Sequence, residues 1–370
     1  MAGIYAIGSN GSGQLGIGHK EDVSVPKQVL FPDSSFNPST NPGPVTIRAG
    51  GNHTLLLTSS GTLLSAGDSS QGARGLDSSP PSQPTHFSPV IFTSPSSTDA
   101  TDPPLKITHC AAKWESSIVV AADSAGRARD IYTFGTGNKG ELGLGELIFR
   151  SARPQLLPDF PPAGREVVDL AACVGHVVVV LDNGDVYGWG NGRKGQLGEP
   201  AGVVHSPRKI EGVGFKAVRA VCGREFTYLL SSPESGSSLF LGAEKWDVKP
   251  PPTADIRGWK DVGAGWGNIV VLKDDGEVVS WGRNDHGQCA PADLPVVDKI
   301  AVGSEHTLAL TREGDVLAWG WGEHGNCGPG GTDVRVATNV VASSRYLPEG
   351  SGIAAVGGGC ATSWVCVVGG

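Results

Sequence analysis

A short apolar strand ending in glycine, often as Trp-Gly, recurs seven times along this chain, and that recurrence restricts the fold more than any other feature. The copies lie at residues 4–8, 62–67, 131–135, 185–190, 238–242, 277–282 and 315–320. The plainest sits in residues 300–320. There His306-Thr307-Leu308-Ala309-Leu310 is followed by Arg312-Glu313-Gly314 and then by Asp315-Val316-Leu317-Ala318-Trp319-Gly320. Alternating apolar residues on both sides of a charged, glycine-containing turn predict a half-buried β-hairpin. Six copies follow such a partner strand, beginning at His53, Glu115, His176, Phe226, Asn268 and His306. Small residues lead into each, as in Ala49-Gly50-Gly51 and Ala301-Val302-Gly303.

The two ends complement each other. Ile4-Tyr5-Ala6-Ile7-Gly8 has no strand ahead of it, and residues 354–366 form a lead-in and partner strand with no second strand after them. An open array would leave two unpaired sheet edges, a liability that β-proteins avoid. A ring removes both. The expected fold is all-β: a seven-bladed β-propeller occupying residues 1–370 as one domain, closed by the N-terminal strand completing the last blade. Loss of either end should then destabilise the whole ring.

Polar, glycine-rich loops follow most second strands, as in Ser9-Asn10-Gly11-Ser12-Gly13-Gln14-Leu15-Gly16 and Asn191-Gly192-Arg193-Lys194-Gly195-Gln196-Leu197-Gly198. Their glycines supply positive-φ turns. Pro26, Pro154 and Pro207 come further on and suit outer, edge-like strands. Residues 32–44 and 77–104, rich in Ser, Pro and Thr, read as flexible surface insertions. Spacing between terminal glycines falls from 68 residues (Gly67 to Gly135) to 40 (Gly242 to Gly282) and 38 (Gly282 to Gly320), which predicts trimmed outer strands in blades five and six.

Composition agrees with many short strands: 55 glycines, 26 prolines and 39% hydrophobic residues. A net charge of -8 argues against nucleic acid as a direct partner, because phosphate neutralisation needs a basic surface. The start shows no charged and apolar leader pattern, and no apolar run is long enough for a membrane span. The seven cysteines are scattered and never in CxxC spacing, so neither a metal site nor a disulfide framework is expected. Free thiols of that kind suit a reducing compartment, the cytoplasm or cytoplasm and nucleus.

No catalytic constellation or cofactor motif is present: the chain lacks GxSxG, GxxxxGK[ST] and HExxH. Gly11-Ser12-Gly13 and Gly135-Thr136-Gly137 open no helix and read as turns. His53, His176 and His306 share one repeat position, where Glu115, Phe226, Asn268 and Ala361 stand in the other units. A structural role is expected for the three, a ring nitrogen bonded to a backbone carbonyl. Trp189, Trp281 and Trp319 occupy the Trp-Gly position and should pack within blades. Lead-in loops and post-Trp-Gly loops fall on one face, which offers Lys113 and nine candidate protein-binding residues: Trp114, Arg224, Glu225, Trp246, Trp266, Arg283, His286, Trp321 and His324. Tryptophan and arginine are the residues enriched in binding hot spots, and Trp266 and Trp321 lead the set.

The elements G-x-x-H-(T/S)-x-x-L, G-x-(L/V)-(Y/F)-x-W-G and N-x-x-G-Q-L-G, repeated along almost the whole chain, resemble the regulator of chromosome condensation repeat family. The resemblance implies a propeller, whereas function varies across that family from GTPase exchange factor to ubiquitin-ligase module to adaptor. Residues 4–22 are similar to one branch of it, the fungal alpha-tubulin suppressor or killer-toxin-insensitivity branch. By that resemblance the chain is a non-enzymatic adaptor forming a heterodimer with a small CSL-type zinc-ribbon protein. Through that partner it would reach Elongator or the diphthamide enzymes, serving diphthamide synthesis on elongation factor 2 and modification of the tRNA wobble uridine. The competing reading is a guanine-nucleotide exchange factor for a small Ran-type GTPase. It would need a wedge on the loop-rich face and, if chromatin-bound, a basic tail; neither stands out. A substrate-recognition module would need an attached catalytic domain, for which seven blades leave no room.

Overall fold

The computed structural model describes residues 2–31, 46–76, 85–92, 105–251, 255–330 and 333–369. Seven antiparallel sheets are arranged as the blades of a propeller. The innermost strands, in blade order, are Thr46–Ala49, Ile107–Ala112, Val167–Cys173, Arg219–Cys222, Trp259–Ala264, Val297–Val302 and Gly352–Gly358. These are the segments read from sequence as small-residue lead-ins. Their glycines and alanines let seven strands converge on a central channel of about 520 Å³. Apolar side chains between neighbouring sheets form the core; one cluster joins Ile7, Leu272, Leu308, Leu310 and Val367 across blades five, six and seven.

Ring closure follows the expected route. Gly3–Gly8 lies between Thr362–Val368 and Val23–Gln28 in blade seven, with Ile4 opposite Cys366 and Ala6 opposite Trp364. Pro26, Pro154 and Pro207 do fall in outer strands, Val23–Gln28, Arg150–Leu156 and Gly202–Lys209. The shortening falls on blade five as expected, but on blade four instead of blade six. Blades four and five have three strands each among the described residues, while blade six carries the long outer strand Asp333–Ser343. An outer strand follows the Trp-Gly of its own blade, so each short interval belongs to the blade before it. Of the presumed insertions, residues 32–44, 77–84 and 93–104 lie outside the described residues. Residues 85–92 are part of the fold: Ser88–Pro89 pairs as the outer strand of blade one, and Phe87 is buried against Trp364 at 6.0 Å.

The seven terminal glycines have one backbone geometry. Gly8, Gly67, Gly135, Gly190, Gly242, Gly282 and Gly320 all take φ between 103° and 116°. A Cβ on any of them would collide with a carbonyl just before the partner strand, that of Ala361, Asn52, Glu115, Gly175, Glu225, Gly267 and Glu305 respectively. The same carbonyl accepts the N–H of the residue after the glycine in all seven blades. Only glycine tolerates both demands.

Opposite these glycines stand His53, Ser116, His176, Phe226, Asn268, His306 and Thr362. Glu115 and Ala361 are therefore one residue off the histidine position assigned from sequence. The short side-chain contacts of the histidines are to hydroxyls, and these in turn bond the carbonyls. His53, His176 and His306 place Nε2 at 2.8, 3.1 and 2.8 Å from Ser117, Thr227 and Ser363, hydroxyls of the next blade. Each hydroxyl donates at 2.7 Å to a loop carbonyl of the histidine's own blade, that of Ala73, Gln196 or Asn326. The hydroxyl proton is thus committed, so the imidazole N–H is the donor. Burial pushes all three histidines down to about 4, which keeps these inter-blade latches neutral.

Candidate functional site

Because each Trp-Gly strand returns to the end where its partner strand began, lead-in and post-Trp-Gly loops do share one face. At the channel mouth the lead-in loops are laced together across blades. Gly51 donates to Trp114, Trp114 to Val174, Arg224 to Trp266, Trp266 to Ser304 and Ser304 to Gly359, at 2.7–3.3 Å. This belt fixes the backbone from which the face side chains project.

Trp114 of blade two and Trp266 of blade five meet across the mouth, ring centroids 5.8 Å apart at 50°. Both line the channel, and the Arg224 guanidinium of blade four lies 5.5 Å from the Trp266 ring. Trp266 is half-buried, whereas Trp114 and Arg224 are exposed. Glu225 is half-buried and contributes its carbonyl to the Gly242 turn.

A second cluster runs over blades four to six. Trp246 sits in the one-turn 3-10 helix Lys245–Asp247 at φ 61°. Its ring covers Gly267, where a Cβ would run into it. Lys245 lies 4.0 Å and Arg283 5.2 Å from that ring. Arg283 bonds Glu305 Oε1 at 2.6 Å and Asp285 at 2.7 Å. The other Glu305 oxygen accepts Gln288 Nε2 at 2.8 Å, and Glu305 is only 4% exposed. The Arg283 guanidinium holds the Asp285 carboxyl down to about 2, and the two carboxylates raise Arg283 in return. The Glu305 carbonyl takes the Trp321 N–H at 2.9 Å, and Trp321 stacks on His286 at 4.9 Å and 13°. Trp246, Arg283, Glu305, Trp321 and His286 thus form one contiguous patch anchored on a buried carboxylate.

His324 lies apart from both clusters. Its Nδ1 meets Asp22 at 2.8 Å, joining the blade-six loop to the blade-seven loop. Lys113 is not available on the face at all. It is buried, its Nζ donates to the Glu141 carbonyl, and burial pushes it down to about 7. Blade two has Ser116 where its neighbours have histidine, and Lys113 supplies the donor to the equivalent loop carbonyl. Trp189 and Trp319 are fully buried as expected, while Trp281 is half-buried because its blade has no outer strand. All seven cysteines are free, and no group of three metal-ligating side chains occurs among the described residues.

Sequence reasoning missed Glu305, Asp285 and Gln288. Glu115, Glu225 and Glu305 occupy the same repeat position, yet one is exposed, one half-buried and one buried. Nothing in their own segments separates them. Only Arg283 and Gln288, arriving from blade five, make Glu305 different.

The chain resembles proteins of several kinds. It is 31% identical over 323 residues to "RCC1 repeat-containing protein C10F6.04" of Schizosaccharomyces pombe, covering 82% of this chain and 83% of that one. It is 28% identical over 82% of its length to the human E3 ubiquitin-protein ligase HERC2, of which it spans 6%. Against the secretion-regulating guanine nucleotide exchange factor of Bos taurus identity is 26%, covering 78% of this chain and 61% of that protein. Prp20p from Saccharomyces cerevisiae superposes on all of this chain and 92% of its own at a TM-score of 0.79 and 21% identity, a likeness of fold. A family model described as RCC1-like domain matches residues 3–365, and with seven blades, a positive-φ terminal glycine in each and the termini in one sheet, the chain belongs to the RCC1-like domain family.

Proposed function

We propose that this chain is a non-enzymatic docking propeller whose loop-rich face binds a small CSL-type zinc-ribbon protein. The observation that carries the docking reading is the patch of Trp246, Arg283, Trp321 and His286, half-exposed or exposed at its surface and held underneath by buried Glu305. Aromatic and arginine side chains pre-positioned in this way lose little conformational freedom on binding. Support for the class of partner comes from the similarity of residues 4–22 to the alpha-tubulin suppressor branch. In this reading metal and redox chemistry belong to the partner, and the propeller shields or orients its metal site. The pair then serves diphthamide synthesis and Elongator-dependent tRNA modification, in the cytoplasm and also in the nucleus.

Titration of the purified chain with a CSL-type zinc-ribbon protein tests this directly. The double variant Trp266→Ala, Trp321→Ala should bind more weakly by about 2 kcal/mol or more. Unchanged affinity would remove these residues from the interface, and no binding by the parent chain would remove the partner. Catalytic acceleration of nucleotide release from a Ran-type GTPase would replace the adaptor reading by the exchange-factor one.

A further inference from the structure

Blade five is one strand short, and the place of that strand is open. Its third strand, Val278–Gly282, pairs only with Asn268–Lys273. The equivalent strand of blade six, Asp315–Trp321, is covered by Asp333–Ser343. Val316, Ala318 and Trp319 are therefore buried, while their counterparts Val278, Ser280 and Trp281 are half-exposed. The chain beyond runs alongside without joining the sheet. It touches through the Ala290 N–H on Ser280 Oγ at 2.8 Å and the Cys289 thiol on the Gly282 carbonyl at 3.7 Å. Between strand and returning chain lies a groove of about 700 Å³, walled by Val278, Trp281, Ala290, Leu294 and Val296.

The backbone of this edge is ready to pair. Bonds from Lys273 N–H to Glu277 and from Arg283 N–H to Gly267, both 2.8 Å, set the phase of the hairpin. Val279 and Trp281 therefore turn their N–H and C=O groups inward, and Val278, Ser280 and Gly282 turn theirs to the groove. In blade six the corresponding Val316, Ala318 and Gly320 pair with Ala342, Asn339 and Val334. Among the described residues no backbone group pairs with Val278 or Ser280 on the groove side.

Charge indicates the occupant. Asp275 and Glu277 line the turn end of the groove, and no lysine or arginine lines it. Glu277 reaches Lys273 only at 3.8 Å and its side chain is 58% exposed. Arg312 meets the carbonyl of Asp275, not its carboxylate. We infer that an extended segment of a partner protein, apolar at alternate positions and bearing Lys or Arg toward its C-terminal end, adds as the fourth strand of blade five. Main-chain bonds to Val278 and Ser280 supply affinity, and alternate side chains reach the apolar wall. Antiparallel to Val278–Gly282, like the outer strands of the four-stranded blades, the segment brings its basic end to Asp275 and Glu277. This edge is separate from the loop-rich face and does not depend on what that face binds.

The probe is an N-acetylated, C-amidated peptide Ser-Val-Thr-Val-Lys-Arg, compared with the same peptide ending in Glu-Glu. The basic peptide should slow amide exchange at Val278 and Ser280 and bind about tenfold more tightly than the acidic one. Glu277→Gln should weaken it by about two- to fivefold. Ser280→Pro, which removes a groove-facing N–H that an edge strand can lose, should abolish the protection at Val278. If Ser280→Pro does not fold, Glu277→Gln decides. Absence of protection at saturating peptide, equal binding of the two peptides, or no effect of Glu277→Gln would overturn the proposal. So would protection that rises with protein concentration alone, with a dimer on sedimentation, since a second copy would then fill the groove.

Discussion

Where blade six meets blade seven, His306 donates to Ser363, Trp319 is fully buried and an eleven-residue outer strand closes the sheet. Where blade four meets blade five, Phe226 shares an apolar cluster with Ile269, and neither blade has an outer strand among the described residues. One junction further, Asn268 reaches the Gln288 carbonyl at 3.4 Å while the Thr307 hydroxyl of blade six has no partner. The latched blades one, three and six tie a buried histidine to a hydroxyl of the next blade. Blades four and five, lacking the histidine, place Arg224, Trp246, Trp266, Arg283 and His286 at the surface instead. Among the described residues the two three-stranded sheets and six of the nine candidate residues therefore fall in blades four and five, while Trp114 lies in blade two, Trp321 and His324 lie in blade six, and blades two and seven also lack the histidine.

The contrast can be broken most severely at the closure. Removing residues 2–8 would take out the strand joining Thr362–Val368 to Val23–Gln28. Buried Ile4, Ala6 and Ile7 go with it, at a cost of roughly 5 kcal/mol or more. Chemical denaturation should show loss of the whole cooperative transition, because the deficit lies inside a sheet and not, as in blade five, at its rim.

Acid should separate the two regions. An unfolded histidine takes its proton near 6.5 and the buried ones only near 4, so the unfolded chain binds more protons between these values. Stability from the latches is complete above pH 6.5 and is lost as pH falls toward 4, by up to about 3 kcal/mol per latch. Asp285, held down to about 2, contributes stability that is lost only below the ordinary carboxylate range. Urea midpoints between pH 7 and 4 should fall steeply in the parent chain and less steeply in His306→Gln. An equal slope in the variant would show that the latches do not govern the acid response.

Glu305→Ala should cost about 2–3 kcal/mol, since it leaves Arg283 and Gln288 without their buried acceptor. Glu115→Ala, at the same repeat position but exposed, should change stability by less than about 0.5 kcal/mol. Similar values for the two would mean that the carboxylate does not anchor the patch. His324→Ala removes only a surface pair with Asp22 and should cost less than about 1 kcal/mol in the same assay.

Sequence alone determined the seven-fold repeat and its closure, because both rest on local demands. A glycine at positive φ facing a carbonyl leaves a mark in every unit, and two incomplete units at the ends have one economical solution. The outer strands announced themselves through proline. The trimming was visible too and fell on blade five as read, but its other half was assigned to blade six instead of blade four, since spacing does not say which side of a glycine an outer strand belongs to.

The tertiary structure decided everything that involves a neighbouring blade. The hydroxyls that receive His53, His176 and His306 lie 64, 51 and 57 residues away and are identified only when sheets pack face to face. Trp114 and Trp266 meet because blades two and five converge on one narrow channel, and Glu305 is buried because blade five sets Arg283 and Gln288 against it. Burial and partner choice are properties of the junction between repeats, and a periodic sequence carries that information only in two segments read together.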